Sequence, residues 1–480
     1  MKQTSKQNRK TSFRIGKVRG DLRGKIWYLT YHENGKRLRP KLGPDKEQAR
    51  QMAARINSQL ESHTHSVFNF EPVSIDDLQQ RWLNHHEQVL RSSLQTIRRY
   101  RAATTHLINF IVKKGVASKT SLFQVGHAEE FVHYLRTIKV APNGHKNSQK
   151  RPLLDKGVKY ILQCCRSMFG YAIKRRHLSP YAENPFSSLD LDRIPIENAK
   201  VISIFSPDQE KAFLEACDDW QFPVFLTLML TGLRPGELTH LLLPDDIDLE
   251  SGMLYVRNKP QLGWQVKTRN EREIPLIDEL RDVLKIIIGD RVTGPVFLQR
   301  RYTSSSVLPE LTGYSEKQLE NLLQQRVVKA EDSSGKPMDR IEWTQLSRTI
   351  WRDCGYLKTD RIRTEFIRLT KQIGLPQFTA PKSLRHLFAT CLQDGNVDPL
   401  IRSELMGHST SPTHGASHGL GMTATYTHSR PETKRKQLAN ALLIRLAVQI
   451  AKTWCIRYLT KFSKLDDQAK FKGNMWHSGI

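Results

Sequence analysis

Short alternating runs open the chain. Between Phe13 and Leu42 the pattern is strand-like: Lys25-Ile26-Trp27-Tyr28-Leu29-Thr30-Tyr31 is followed by Asn34-Gly35 and then Arg37-Leu38-Arg39. Asn-Gly between β-prone runs is a hairpin signal, because both residues tolerate the positive φ of a tight turn. From Lys46 to Leu60 the apolar period lengthens to that of a helix. Residues 13–60 are therefore predicted to be a small sheet carrying one helix, behind a flexible basic tail over 1–12. Residues 61–73 read as a linker.

Ser74 then opens a helical region as an N-cap, with Asp77 three residues on and Leu78 and Trp82 sharing a face. Helices are predicted over 94–112, where Ile97, Tyr100, Leu107 and Phe110 recur, and over 128–138. A third, over 155–174, has the most regular stripe: Val158, Ile161, Cys165, Met168, Phe169 and Ala172. Residues 74–185 thus form a helical domain, and 185–200 a second linker. Ser206-Pro207 starts another helix, with Ser as N-cap and Pro at its first position. The apolar helix Phe222–Leu230 ends at Thr231-Gly232, and a short one restarts at Pro235. Strand-like segments follow at 253–257, 265–267 and 272–276. The rest to about 440 is mostly helical, with polar stretches at 303–306 and 331–336 that read as loops or insertions. An apolar helix continues into the tail, 441–480. The predicted fold class is mainly α with small β-sheets, an α+β chain.

Charge changes the picture. The chain has 480 residues, with 75 Lys+Arg against 48 Asp+Glu, a formal net charge of +27. Residues 1–60 alone hold 16 Lys+Arg and 4 Asp+Glu. Such a field attracts polyanions, either nucleic acid or an anionic membrane. The longest apolar run, 222–233, is interrupted by Thr227 and Thr231 and is far short of the roughly 20 residues a spanning helix needs. The amino-terminal residues show no apolar signal segment. Six cysteines are scattered without a CxxC pair, against a disulfide framework or zinc ribbon and for a reducing compartment. The expected class is a cytoplasmic, nucleoid-associated nucleic-acid binder without a membrane partner. Arg98, Arg99, Arg101 and Lys174-Arg175-Arg176 are basic helix edges, either solvated or in contact with that partner.

Four features after residue 200 bear on chemistry. In Thr231-Gly232-Leu233-Arg234-Pro235-Gly236-Glu237-Leu238, Gly232 can end one helix and Pro235 start the next. Arg234 then sits at a helix N-terminus beside free N–H groups, a good phosphate clamp, with Glu237 able to brace it. Lys267 precedes the strand-like Arg272–Leu276 and is placed at a hairpin tip. Lys382 and Arg385, in Pro381-Lys382-Ser383-Leu384-Arg385-His386, share one helical face. Leu405-Met406-Gly407-His408 leads into a loop rich in Ser, Gly and His and then Thr425-Tyr426-Thr427-His428.

In this order these motifs resemble the tyrosine recombinase, or phage integrase, family over roughly 74–435. The resemblance is strongest at TGLRPGEL, SLRHLFAT and LMGH with TYTH. It implies that Tyr426 attacks a DNA phosphodiester to leave a 3′-phosphotyrosyl bond. Arg234 and Arg385 are then expected on the non-bridging oxygens and Lys267 as general acid to the 5′-oxygen. His408 is expected to donate to the phosphate, with Glu237 behind Arg234. No cofactor or metal is implied. The resemblance further implies a catalytic domain over 201–440, a helical core-binding domain over 74–185 and an arm-type DNA-binding module over 13–60. Trp27, Arg37, Arg39, Arg98, Arg99, Arg101, Arg175 and Arg176 are the candidate DNA contacts. The implied partners are double-stranded DNA, three further copies in a homotetramer, and accessory DNA-bending proteins.

Three departures accompany the match. Lys382 stands where the family usually has a histidine; an ordinary lysine is protonated at neutral pH and accepts no proton from the tyrosine. Lys382 then reads either as another phosphate donor or as a lysine altered by burial among the arginines. Tyr426 follows His408 by 18 residues, about twice the usual interval. His414 and His418 lie in that loop, which reads as a mobile segment delivering the tyrosine, in preference to a metal site with His408 and His428. The interval from Lys267 to Arg385 is long, which places an insertion within 300–376. A non-catalytic DNA-binding protein on the same scaffold and a type IB topoisomerase are the competing functions.

Overall fold

The computed structural model describes residues 11–116, 118–141, 147–179, 182–197, 202–303, 307–408 and 429–476, with side chains to residue 461. The chain divides into two compact units, residues 1–200 and 201–480.

The first unit begins with an antiparallel meander of β1 (Ser12–Ile15), β2 (Val18–Arg23), β3 (Ile26–Glu33) and β4 (Lys36–Leu38). Asn34 and Gly35, with φ of 49° and 74°, make the turn between the last two strands. Helix α1 (Lys46–Glu61), capped by Asp45, covers one face. Strand alternation puts Trp27, Leu29 and Tyr31 on the covered side, where Leu29 and Tyr31 meet Val18, Ala53 and Ile56. This corrects the expectation for Trp27. It is 2% exposed and packs on Phe13 at 5.2 Å between ring centroids, so it has no face to offer DNA.

Residues 61–73 lack regular structure but are not a free linker. The buried Glu33 carboxylate accepts from the Ser66 N–H at 2.9 Å, the Ser66 hydroxyl and Asn69 Nδ2 at 2.6 Å, while Val67 enters the core. Such hydrogen bonds have no sequence period, so a pattern search passes over them. The helical part follows: α2 (Ile75–Asn84), capped by Ser74 as expected, α3 (Leu94–Lys114), α4 (Val125–Thr137) and α5 (Asp155–Lys174). The two-residue strands β5 (Lys139–Val140) and β6 (Arg151–Pro152) pair between the last two helices. Helix α4 starts three residues before the predicted 128 because Gln124 and His127 form a reciprocal cap. Within the second predicted linker, 185–200, the described residues to 197 are not a free linker: Phe186 is fully buried among Phe123, Phe131 and Phe169, and Leu191 joins the same core.

In the second unit α6 (Pro207–Glu215), α7 (Gln221–Thr231) and α8 (Pro235–Thr239) lead to a small β-region. Its strands are β7 (Leu242–Leu243), β8 (Ile247–Asp248), β9 (Met253–Val256) and β10 (Arg272–Pro275); the last three form a sheet with β9 central. Residues 265–267 are not a strand. An isolated Lys259–Trp264 bridge closes that loop, Val266 is buried as its plug, and Lys267 begins an exposed turn. After α9 (Asp278–Ile288), β11 (Gly294–Pro295) pairs with β7.

Helices α10 (Glu316–Ser334) and α11 (Arg340–Asp353) make a hairpin with its own core of Leu319, Leu323, Ile350 and Trp351 on Leu242 and Leu262. The polar stretch 331–336 is therefore mostly helix, ended by Gly335 at φ 67°; residues 304–306 of the other polar stretch lie outside the described residues. Then come α12 (Thr359–Gln372), α13 (Lys382–Asp394), α14 (Pro399–Met406), α15 (Pro431–Leu443) and α16 (Leu446–Trp476). Buried Arg445 fastens the start of α16 by bonds to Glu210 Oε1 at 2.8 Å and the Met229 carbonyl at 3.0 Å. Among the described residues no single helix is long and apolar enough to cross a membrane; α15 with the first part of α16 passes only as a pair bent by 85°.

Candidate functional site

Helix α7 is buried along its whole length and must stop where the chain turns back against α13. Gly232 allows this. Its φ is 62°, and a Cβ there would stand 2.3 Å from Phe388 Cδ1. Two residues on, Arg234 caps α8. Its own N–H donates to Glu237 Oε2 at 2.9 Å, and its Nη1 donates to Oε1 at 2.6 Å. The Arg234 side chain keeps 24% exposure while Glu237 has 2%, so the carboxylate lies behind the cation.

Arg385 reaches this corner from α13. Its Nη1 donates to the Gly232 carbonyl at 2.6 Å and its Nη2 to the Met406 carbonyl. Those two bonds leave three of the five guanidinium donors for a ligand. Burial pushes the Arg385 pKa down to about 10, the neighbouring charges of Arg234 and Arg272 act the same way, and Glu237 opposes them.

Arg272, at the start of β10, was not among the sequence candidates. It shares an inward face with Ile274, and a charged residue at an inward strand position was the signal to notice. Its Nη2 and Nη1 donate to Glu237 Oε2 and Oε1 at 2.6 and 3.2 Å, and its Nε to the Leu405 carbonyl at 2.9 Å. Burial alone would raise the Glu237 pKa, but Arg272 and then Arg234 hold it below the ordinary carboxylate value. Two guanidiniums thus share one carboxylate, and Arg385 adjoins them closely enough to feel its charge. The positive surplus is suited to an anion such as a phosphate.

The other candidates lie around this cluster. Lys382 is the first residue of α13 and exposed. Half-buried His386, four residues on, is held below its usual 6.5 by burial, then by the charges of Lys382 and Arg385. Lys267 is exposed in its turn, and the adjacent Thr268 donates to the Gly407 carbonyl at 3.3 Å. Gly407, at φ 61°, ends α14, and His408 follows with its N–H on the Ser403 carbonyl at 3.0 Å. The Lys267 turn and the His408 corner are thereby tied together. Tyr426 lies outside the described residues, as do His414, His418 and His428. Among the described residues no group of three or more His, Cys, Asp or Glu is placed to hold a metal ion.

In the first unit Arg37, Arg39, Arg98, Arg99, Arg101 and Arg175 are exposed. Arg39, Arg99 and Arg175 lie over the rings of Tyr28, Tyr160 and Tyr171 at 5.9, 4.8 and 5.9 Å, and Arg101 bonds Gln80 at 3.3 Å. Arg176 differs. Its Nη1 donates to the Ser66 and Asn69 carbonyls, both at 3.2 Å, so it fastens residues 66–69 to the end of α5.

Residues 204–433 match the model of the phage integrase family. Among solved structures the chain is similar to the Tn1549 transposon integrase in complex with transposon right end DNA, at 18% identity over 76% of this chain and 98% of that one, with a TM-score of 0.46. It is also similar to a lambda integrase dimer bound to a COC′ core site, at 17% identity over 83% and 96%, with a TM-score of 0.45. A third similar structure is the integrase from mycobacterium phage Brujita, at 14% identity over 77% and 93%, with a TM-score of 0.32. No curated protein matches the sequence.

Proposed function

We propose that this chain, whose residues 204–433 form a phage integrase family domain, is a site-specific DNA recombinase that integrates or excises a mobile element through a 3′-phosphotyrosyl intermediate. The observation that carries this reading is the surplus of guanidinium charge around Glu237, next to the exposed Lys267 turn and His408. Tyr426 Oη attacks phosphorus, and the bond to the 5′-oxygen breaks as Lys267 protonates that oxygen. Arg234 and Arg385 stabilise the charge that builds on the non-bridging oxygens, and His408 and Lys382 donate to the same group. The phosphotyrosine conserves the bond for religation to another strand, so the proposed chemistry calls for no metal or nucleotide. Residues 201–440 are the catalytic domain in this reading, 74–185 the core-binding domain and 13–60 the arm-type module. The partner is double-stranded DNA in the cytoplasm, gripped by a homotetramer with accessory DNA-bending proteins.

The test is a suicide duplex nicked beside the cleavage site. The wild type forms an SDS-resistant protein–DNA adduct and Tyr426→Phe forms none. An adduct that persists in Tyr426→Phe, or its absence from the wild type on DNA carrying the element's own ends, refutes the assignment.

A further inference from the structure

We propose that Arg272 is a positioning residue that shares the Glu237 carboxylate with Arg234, leaving the cluster a net positive charge, and holds the Arg234, Lys267 and His408 segments in one geometry for transfer of the DNA phosphoryl group; this rests on the recombinase reading. The side chain is only 4% exposed and spans three elements. Its own strand, β10, follows the Lys267 turn. Through Nη1 and Nη2 it binds Glu237 of α8, and through Nε the Leu405 carbonyl at the end of α14. It also lies against Gly407, where an added Cβ would be 2.9 Å from Nη1 and 3.0 Å from Cδ. The residue before His408 is therefore a glycine for two reasons: its positive φ and the guanidinium beside it.

The charge balance gives Arg272 its second role. The two Glu237 oxygens take four bonds, two from Arg234 and two from Arg272. Paired with Glu237 alone, Arg234 would be neutralised and a poor partner for a phosphate. Sharing the carboxylate with Arg272 leaves a net positive charge at the exposed guanidinium. Lysine cannot reproduce this, because a point donor does not bridge both oxygens and a carbonyl at once.

The experiment measures single-turnover adduct formation at saturating protein on two suicide duplexes, one with the natural phosphodiester and one with a methylphosphonate at the cleaved linkage, which carries one negative charge fewer for the guanidiniums to stabilise. For Arg272→Met the expected outcome is a fall of about 100-fold on the phosphodiester, with half-saturating protein concentration within about threefold. On the methylphosphonate the gap from wild type shrinks to under about tenfold. Arg272→Lys falls between the two. Gly407→Ala, which displaces the guanidinium without deleting it, shows the same split between linkages and covers the case in which Arg272→Met does not fold. Wild-type rates in both Arg272→Met and Gly407→Ala overturn the proposal, and so does an equal loss on both linkages, the signature of a purely structural role. A wild type that forms no adduct on the phosphodiester defeats the recombinase reading itself, an outcome the wild-type control separates from the others.

Discussion

Glu33 in the first unit and Glu237 in the second are both buried carboxylates whose pKa values lie below the ordinary one, yet they are held in opposite ways. Burial would raise the pKa of each. At Glu33 it is outweighed by neutral donors, Ser66 and Asn69, with His65 beside them. At Glu237 it is outweighed by Arg272 and Arg234. Neutral donors satisfy the hydrogen bonds of a carboxylate without adding any positive charge, so Glu33 is a clasp between the sheet and residues 61–73. Two guanidiniums on one carboxylate, with Arg385 adjoining, leave a positive surplus that only a further anion balances. A buried acid alone does not mark a functional site; the sign of what remains around it does.

The largest effect that would break this contrast is expected from Glu237→Ala. Removing one partner of a buried ion pair should cost about 3–5 kcal/mol, read as a lowered urea midpoint. Arg234→Ala should lose about 100- to 1,000-fold in adduct formation while its melting temperature changes little, since a quarter of that side chain is exposed. Glu33→Ala should cost less, about 1–3 kcal/mol for the donors left unpaired, and leave cleavage of the suicide duplex unchanged. If Glu33→Ala abolishes cleavage, the division into clasp and site is wrong.

Acid sharpens the same comparison. Both carboxylates have folded-state pKa values below the ordinary 4.5. The unfolded chain therefore binds more protons in acid, and the stability these groups supply is present above pH 4.5 and lost as pH falls through their folded values. Glu33→Gln and Glu237→Gln should each flatten the acid limb of a stability-against-pH curve. The smallest effect is expected in the amino-terminal sheet over 13–60, proposed above as an arm-type module. Arg37→Ala with Arg39→Ala should reduce the slope of log affinity against log salt by about 1.8, two phosphate contacts at roughly 0.9 each, without altering the cleavage rate of bound DNA.

Local signals were legible where a residue acts on its immediate neighbours. Ser74 and Ser206 cap their helices, Asn34-Gly35 turns the hairpin, and Gly232 ends α7, because caps and turns are settled within four residues. Periodicity likewise exposed the stripe of α5 and the mainly α class with small sheets. The ordered motifs around Arg234, Lys267, Arg385 and His408 pointed to one family from the sequence alone. The amino-acid order by itself thus determined several helices with their caps, the net charge and the candidate cations, but not the start of α4 or the helix that runs into 331–336.

Tertiary structure decided which of those cations are available. Trp27 looks like a DNA contact in the sequence but is sealed in the core, and Arg176 also fastens residues 66–69 through two carbonyls. Phe186 and Ser66 sit in stretches without period, and only packing shows that they hold those stretches down. Arg272 has no motif around it; it becomes central because Glu237, 35 residues away, and Leu405, 133 residues away, converge on it. The reason is physical. A helix cap or turn is written in neighbouring residues, whereas the burial and net charge of a side chain depend on groups that only the folded chain brings within 3 Å.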